Sequence, residues 1–287
     1  MTEAVLRYPR LFASLVKVEH TVFALPFAYI GAFLAVDGVP GARDLLWVTV
    51  AMVGARSLAM ALNRVIDAGI DARNPRTAGR ELPRGALRRW HVVLFSLASL
   101  AVFLVAVYQL APIVRWLWPI PVAAFVVYPY LKRVHWVSHF WLGAVDGLAP
   151  VGAWAAVTNE LPWQSWSLGA AVAFWVAGFD LFYALFDLEV DRAQGLHSFA
   201  ARFGVRASFS AARVCHLATL AALVAAGLGL PVGALYWLGV AAVAVLLLYE
   251  HSLVSPSDRT RLDMAFFTMN GVISVTLFAF VLADVLL

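Results

Sequence analysis

Residues 45–85 read LLWVTVAMVGARSLAMALNRVIDAGIDARNPRTAGRELPRG, an apolar run that ends in one asparagine, two aspartates and a burst of arginines. A bilayer core of about 30 Å is crossed by roughly 20 apolar residues in a helix, so the first part of the stretch is long enough to span. A helix turns through about 100° per residue, which puts Asn63, Asp67 and Asp71 (i, i+4, i+8) on one stripe at its end. Arg56 falls close to the same stripe and about 10 Å deeper, at ~1.5 Å per residue. Pro75 stops the helix, because its ring removes a donor and clashes with the preceding turn.

The rest of the chain repeats the apolar pattern. Of its 287 residues, 63% are apolar and only 13% charged. Mean hydropathy is +0.83, far from a soluble domain with roughly 25% charged residues. Nine stretches have spanning length, near 21–38, 45–70, 90–110, 113–131, 140–158, 164–187, 208–229, 231–250 and 264–286. Their connections are short, which predicts an all-α membrane protein: a single nine-helix bundle over residues 1–287 with no soluble domain. The charged segment ahead of the first stretch lacks a cleavage pattern, so that stretch is expected to be a retained helix. The single cysteine, Cys215, lies in an apolar segment and offers neither a disulfide framework nor a thiolate metal site.

Lys and Arg collect in alternate connections. Arg7, Arg10 and Lys17 precede the first stretch; Arg73, Arg76, Arg80, Arg84, Arg88 and Arg89 follow the second. Lys132 and Arg133, then Arg192, Arg202 and Arg206, then Arg259 and Arg261 follow the fourth, sixth and eighth. Together they are sixteen of the 21 basic residues. The other connections hold only Arg43 and Arg115. Because cytoplasmic loops carry the excess of Lys and Arg, the N-terminus is expected inside and the 63–85 stretch at the cytoplasmic face of the inner membrane. Orientation in the bilayer accounts for the basic loops, and no nucleic-acid partner is needed.

A second polar stripe stands in WVAGFDLFYALFDLEVDRAQG, residues 175–195, where Asp180, Tyr183, Asp187 and Asp191 recur at i, i+3, i+7, i+11. Each ionisable residue within a spanning helix costs roughly 2.5–3.5 kcal/mol on insertion scales, which a purely structural bundle has no reason to spend twice. Two aspartate pairs at the same membrane edge repel unless cations lie between them. Oxygen ligands without His or Cys suit a hard ion, Mg2+ above all, whose shell is completed by water and substrate phosphates. The pattern therefore reads as a diphosphate clamp. The alternative is a polar helix end in which the aspartates pair with Arg64, Arg73 and Arg192.

These motifs carry a resemblance. N-x-x-x-D-x-x-x-D with NPRT and RELPRG, D-x-x-Y-x-x-x-D-x-x-x-D, and YPYLKR at 128–133 resemble the three signatures of the UbiA superfamily of intramembrane aromatic prenyltransferases over nearly the whole chain. The phrasing RTAGRELPRG and FFTMNGVISVTLF is most similar to its quinone-pathway branch. The resemblance implies transfer of a polyprenyl group from polyprenyl diphosphate to a ring carbon ortho to a hydroxyl of an aromatic acid, 4-hydroxybenzoate or a dihydroxynaphthoate, in ubiquinone or menaquinone biosynthesis. Asp67, Asp71, Asp187 and Asp191 would hold Mg2+ with Asn63, and Lys132 and Arg133 would bind phosphate oxygens, as would Lys17 and Arg76 or Arg80. Asp180 would join the substrate-binding set. Tyr128 and Tyr183 would face the allylic cation, unless they are interfacial belt residues. Arg56 would take the acceptor's carboxylate, unless it pairs internally with Asp146 or Asp180. Asp146 has no counterpart in the family pattern. The eleven tryptophans and seven histidines are read as interface residues. Three rivals remain: a CDP-alcohol phosphotransferase, whose D-G-x-x-A-R string neither stripe contains, a cation-coupled transporter built on intramembrane aspartates, and a structural or assembly protein, which would not need two carboxylate stripes.

Overall fold

A computed structural model of the protein describes residues 2–258, 261, 262, 264 and 268–287, with the side chains of residues 8–17 and of those from Leu25 onward. Arg259 and the side chain of Arg7, counted above among the inner cations, lie outside what is described. Twelve α-helices follow one another and no strand occurs among the described residues: α1 (Thr2–Val16), α2 (Val18–Val36), α3 (Ala42–Asp71), α4 (Arg89–Gln109), α5 (Val114–Leu117), α6 (Pro119–Val134), α7 (Ser138–Thr158), α8 (Trp163–Tyr183), α9 (Leu188–Ala193), α10 (Phe199–Leu228), α11 (Ala234–Leu253) and α12 (Met269–Leu286). Eight segments among the described residues are long and apolar enough to cross a membrane, with α5 and α6 forming one of them. The stretch expected first, 21–38, corresponds to α2, whose described apolar part is the shorter Leu25–Val36.

Exposed side chains such as Leu94, Leu97, Val245 and Leu248 cover the outside of the bundle, as lipid requires. Inside, Phe27, Leu34, Trp154, Trp175, Tyr236 and Ile273 form the largest apolar cluster. Because hydrocarbon gives no hydrophobic drive between helices, close backbone approach has to hold them together. α7 supplies it through Gly143 and Gly147, four apart, against Gly169 and Ala173 of α8: a Cβ on Gly143 would collide with the Ala173 carbonyl oxygen, and one on Gly147 with that of Gly169.

Helix α3, at 30 residues, is ~45 Å long, more than an upright crossing of a hydrocarbon core of about 30 Å needs. It ends at Asp71, ahead of Pro75. The second stripe departs from the sequence expectation: it does not run along one helix. α8 stops at Tyr183, Ala184–Phe186 form a single 3-10 turn, and α9 begins at Leu188. The tighter turn breaks the 3.6-residue register, so Asp187 and Asp191 are turned relative to Asp180. α10 also starts earlier than expected, at Phe199, and its first turn is offset by Gly204, whose φ of 84° only glycine adopts without strain.

The α7–α8 seam makes a direct prediction. Gly147→Val should force the two helices apart and lower stability by about 1–3 kcal/mol, read as a fall in Tm of the detergent-solubilised protein; an unchanged Tm would show that the seam is not tight.

Candidate active site

A cavity of about 700 Å3 opens between α2, α3, α6, α7 and α8. Along α3 its wall runs from Asp71 back to Val48, ~35 Å at about 1.5 Å per residue, the full depth of a bilayer core. Its deep half is apolar, lined by Met52, Phe103, Val107, Leu110 and Trp118. Its mouth carries Lys17, Asn63, Asp71, Arg76, Arg80, Lys132, Tyr183, Asp187 and Asp191. Between the two lie Arg56, Tyr128, Asp146 and Asp180.

The mouth is built by the segment after α3 folding back over the helix end. Asn74 organises it: its side-chain oxygen accepts the Arg76 N–H at 2.9 Å, and its amide donates to Asp187 at 2.8 Å. Thr77 donates its hydroxyl to the Asp71 carbonyl at 3.0 Å, using one acceptor that the helix end leaves open. Arg80 then reaches both carboxylate oxygens of Asp71, at 2.7 and 2.8 Å. Arg76 forks onto both oxygens of Asp187, donates to the Tyr183 hydroxyl at 2.5 Å and lies over that ring, 4.9 Å from its centre. Ser14 of α1 donates to Glu81 at 2.7 Å and ties the segment to the first helix. At the turn between α1 and α2, Lys17 has φ of 52°. That left-handed conformation costs a non-glycine residue roughly 1–2 kcal/mol, and it sets Lys17 on the cavity wall.

Two expected residues do not reach the wall. Asp67 is only 1% exposed, with Lys132 Nζ 2.5 Å from one oxygen and Arg133 3.2 Å from the other. Arg133 also donates to the Ile66 carbonyl at 2.7 Å and lies over the Tyr130 ring. The aspartates thus have partners, but not those of the structural alternative: Arg192 pairs with Glu189 at 3.7 Å, and Arg76, Arg80, Lys132 and Arg133, the expected phosphate ligands, hold the carboxylates.

Electrostatics distinguishes the two outer aspartates. Burial pushes the Asp187 carboxyl up, but hydrogen bonds from Arg76 and Asn74 and the charge of Arg76 hold it below the usual carboxylate range. Burial, reinforced by the neighbouring Asp187 charge, raises that of Asp191 despite a hydrogen bond from Ser198.

Sequence reading missed His139. Its Nε2 accepts the Phe199 N–H at 3.2 Å, so in the neutral ring the proton is on Nδ1, which lies 2.7 Å from Asp180 Oδ2 and donates to it. Asp180 is therefore held by α7 and not by Arg56. Asn74 had a signal, since Asn-Pro initiates turns; His139 had none, because its partners are 41 and 60 residues away.

Among the described residues no three His, Cys, Asp or Glu side chains converge as a ready-made cation site. The donor set still suits Mg2+: Asn63 and Asp71 on one side of the mouth and Asp187 and Asp191 on the other supply oxygen only, and an ion between them would complete its shell with phosphate oxygens and water.

The sequence profile of the UbiA prenyltransferase family matches residues 24–272. The 4-hydroxybenzoate octaprenyltransferase of Nitrosospira multiformis is 34% identical over 259 residues, 89% of this chain and 88% of the relative. That of Cupriavidus necator is 30% identical over 259 residues, 89% and 90% of the two chains. Among solved structures, the apo UbiA homolog from Aeropyrum pernix K1 is similar with a TM-score of 0.85 and 31% identity, covering 93% of this chain and 98% of that one. A UbiA homolog from Archaeoglobus fulgidus bound to GPP and Mg2+ shares the fold, with a TM-score of 0.75 and 17% identity over 96% of this chain and 100% of the other. The transporter alternative falls with these matches: the chain belongs to the UbiA prenyltransferase family.

Proposed function

We propose that the protein transfers a polyprenyl group from polyprenyl diphosphate to a ring carbon of a hydroxylated aromatic acid, 4-hydroxybenzoate or a dihydroxynaphthoate, in quinone biosynthesis. The observation that carries this reading is the zoning of one cavity: paired carboxylates and cations at the mouth, at middle depth an arginine with no ion pair among the described residues, and a long apolar end. The names of its relatives as 4-hydroxybenzoate octaprenyltransferases support the acceptor class, and the GPP- and Mg2+-bound homolog supports the donor.

Bound Mg2+ would supply positive charge to the departing diphosphate, as metal ions do for poor leaving groups. Asp71, Asp187 and Asp191 at the mouth would hold it with Asn63, and Asp67 would act from behind the wall by positioning Lys132. Arg76, Arg80, Lys132 and Lys17 line the mouth as preorganised donors to the diphosphate oxygens. The bond from allylic carbon to oxygen breaks, with its electron pair leaving on diphosphate. Tyr128 and Tyr183, both on the wall, present rings to the cation left behind. The apolar depth holds the tail and excludes water, which would otherwise trap the cation as an alcohol. The ring carbon ortho to the acceptor's hydroxyl then bonds to the allylic carbon and gives up its proton to a basic oxygen in the cavity. Arg56 anchors the acceptor through its carboxylate. The whole chain, 1–287, forms one nine-helix unit in the cytoplasmic membrane, N-terminus inside, with the aspartate mouth at the cytoplasmic face. The distribution of Lys and Arg supports that orientation.

With Mg2+, a labelled polyprenyl diphosphate and a panel of aromatic acids, mass spectrometry of the product should show ring alkylation. Chelation should abolish turnover and Mg2+ restore it; full activity in excess EDTA would sink the clamp. Asp67→Ala and Asp187→Ala should each lower turnover by about two or more orders of magnitude while the protein stays folded, and near-normal rates in both would remove the motif assignment.

Arg56→Leu removes a charge-assisted pair of roughly 1.5–3 kcal/mol, so KM for the aromatic acid should rise about ten- to a hundredfold while affinity for the prenyl diphosphate barely changes. An acceptor KM left unchanged would retire the carboxylate anchor.

A further inference from the structure

Three carboxylates on the cavity wall are held by the protein: Asp71 has Arg80, Asp187 has Arg76 and Asn74, and Asp180 has His139. Asp146 of α7 lines the cavity and makes no hydrogen bond or ion pair with any described residue. Its counterpart in charge is Arg56 of α3, on the same wall, also without an ion pair among the described residues and with its Nε buried and unpartnered. The opposite charges share the cavity wall but are not in contact. Gly143 and Gly147, on either side of Asp146 in sequence, seat this turn of α7 tightly against α8 and so fix the backbone that carries Asp146. It stands ~12 Å along α7 from Ser138, at about 1.5 Å per residue, well inside the mouth.

A cation and an anion held apart across one cavity fit a ligand that offers an acceptor to one and a donor to the other. A carboxylate satisfies Arg56 but adds a like charge beside Asp146. In 4-hydroxybenzoate the single hydroxyl adjoins the alkylated carbon and lies across the ring from the carboxylate, so it faces the diphosphate end and cannot also serve Asp146. We infer that Asp146 is a specificity-determining residue which accepts a hydrogen bond from a second hydroxyl of the acceptor, so that the protein favours aromatic acids with two ring hydroxyls over those with one. This rests on the acceptor reading proposed above and narrows it. The physical basis is asymmetric: a site built to accept a hydrogen bond discriminates strongly against an analogue that lacks the donor, because the buried oxygen is left unpaired.

The experiment measures kcat/KM with Mg2+ and one polyprenyl diphosphate for hydroxybenzoates bearing one and two hydroxyls and for dihydroxynaphthoates, in the wild type, Asp146→Leu and Asp146→Asn. The wild type should favour dihydroxy acids at least tenfold. Asp146→Leu should bring the dihydroxy-to-monohydroxy ratio down about ten- to a hundredfold, the worth of a hydrogen bond to a charged group. Asp146→Asn, which keeps the shape and an acceptor oxygen, should fall between, and it carries the test if the leucine variant does not fold. A wild-type preference for the monohydroxy acid, or variants that slow both acceptors alike with the ratio kept, would overturn the role of Asp146 and leave the proposed reaction standing. If no aromatic acid were alkylated, the reaction itself would fall, and the inference with it.

Discussion

Carboxylates at the mouth of an apolar bundle can be kept ionised only if something positive or a donor meets each one. A lone charge in a low-dielectric setting is expensive, and a buried ion pair missing one partner costs several kcal/mol. The segment after α3 answers that constraint. It brings Arg76, Arg80 and Asn74 back over Asp71 and Asp187, while the end of α6 brings Lys132 and Arg133 onto Asp67.

In the proposed reaction the same pairing would hold Arg76, Arg80 and Lys132 in place before diphosphate arrives, so less ordering would remain to be done on binding. The 3-10 turn after α8 contributes in the same way, because it turns Asp187 towards Asn74 and Arg76 and away from the line of Asp180. Deeper in, the balance is reversed: Arg56 and Asp146 are left apart. Arg56 and Asp146, which the protein leaves facing the cavity, are available to a ligand.

Much of this was legible in the residues themselves. Apolar runs of spanning length determined an all-helical membrane protein, because backbone in hydrocarbon must bond within its own segment. The 3.6-residue period put Asn63, Asp67 and Asp71 at one end of one helix, and the oxygen-only side chains pointed to a hard cation and phosphate. Which cation meets which aspartate was beyond the sequence: Arg64, Arg73, Arg76 and Arg80 look alike in a string, and only the turns around Asn74 and Thr77 select Arg76 and Arg80. Nor could periodicity foresee that Lys132 and Arg133 would cover Asp67 and keep it off the cavity wall, or that α8 would end before Asp187. His139 and Asp180 lie on different helices, so their meeting depends on how α7 packs against α8 and on the glycines that allow it, and Asp146 and Arg56 stand apart on α7 and α3. Local rules set each helix and its charges; the distances between helices, which decide whether a charge is satisfied or offered to a ligand, arise only when the bundle closes.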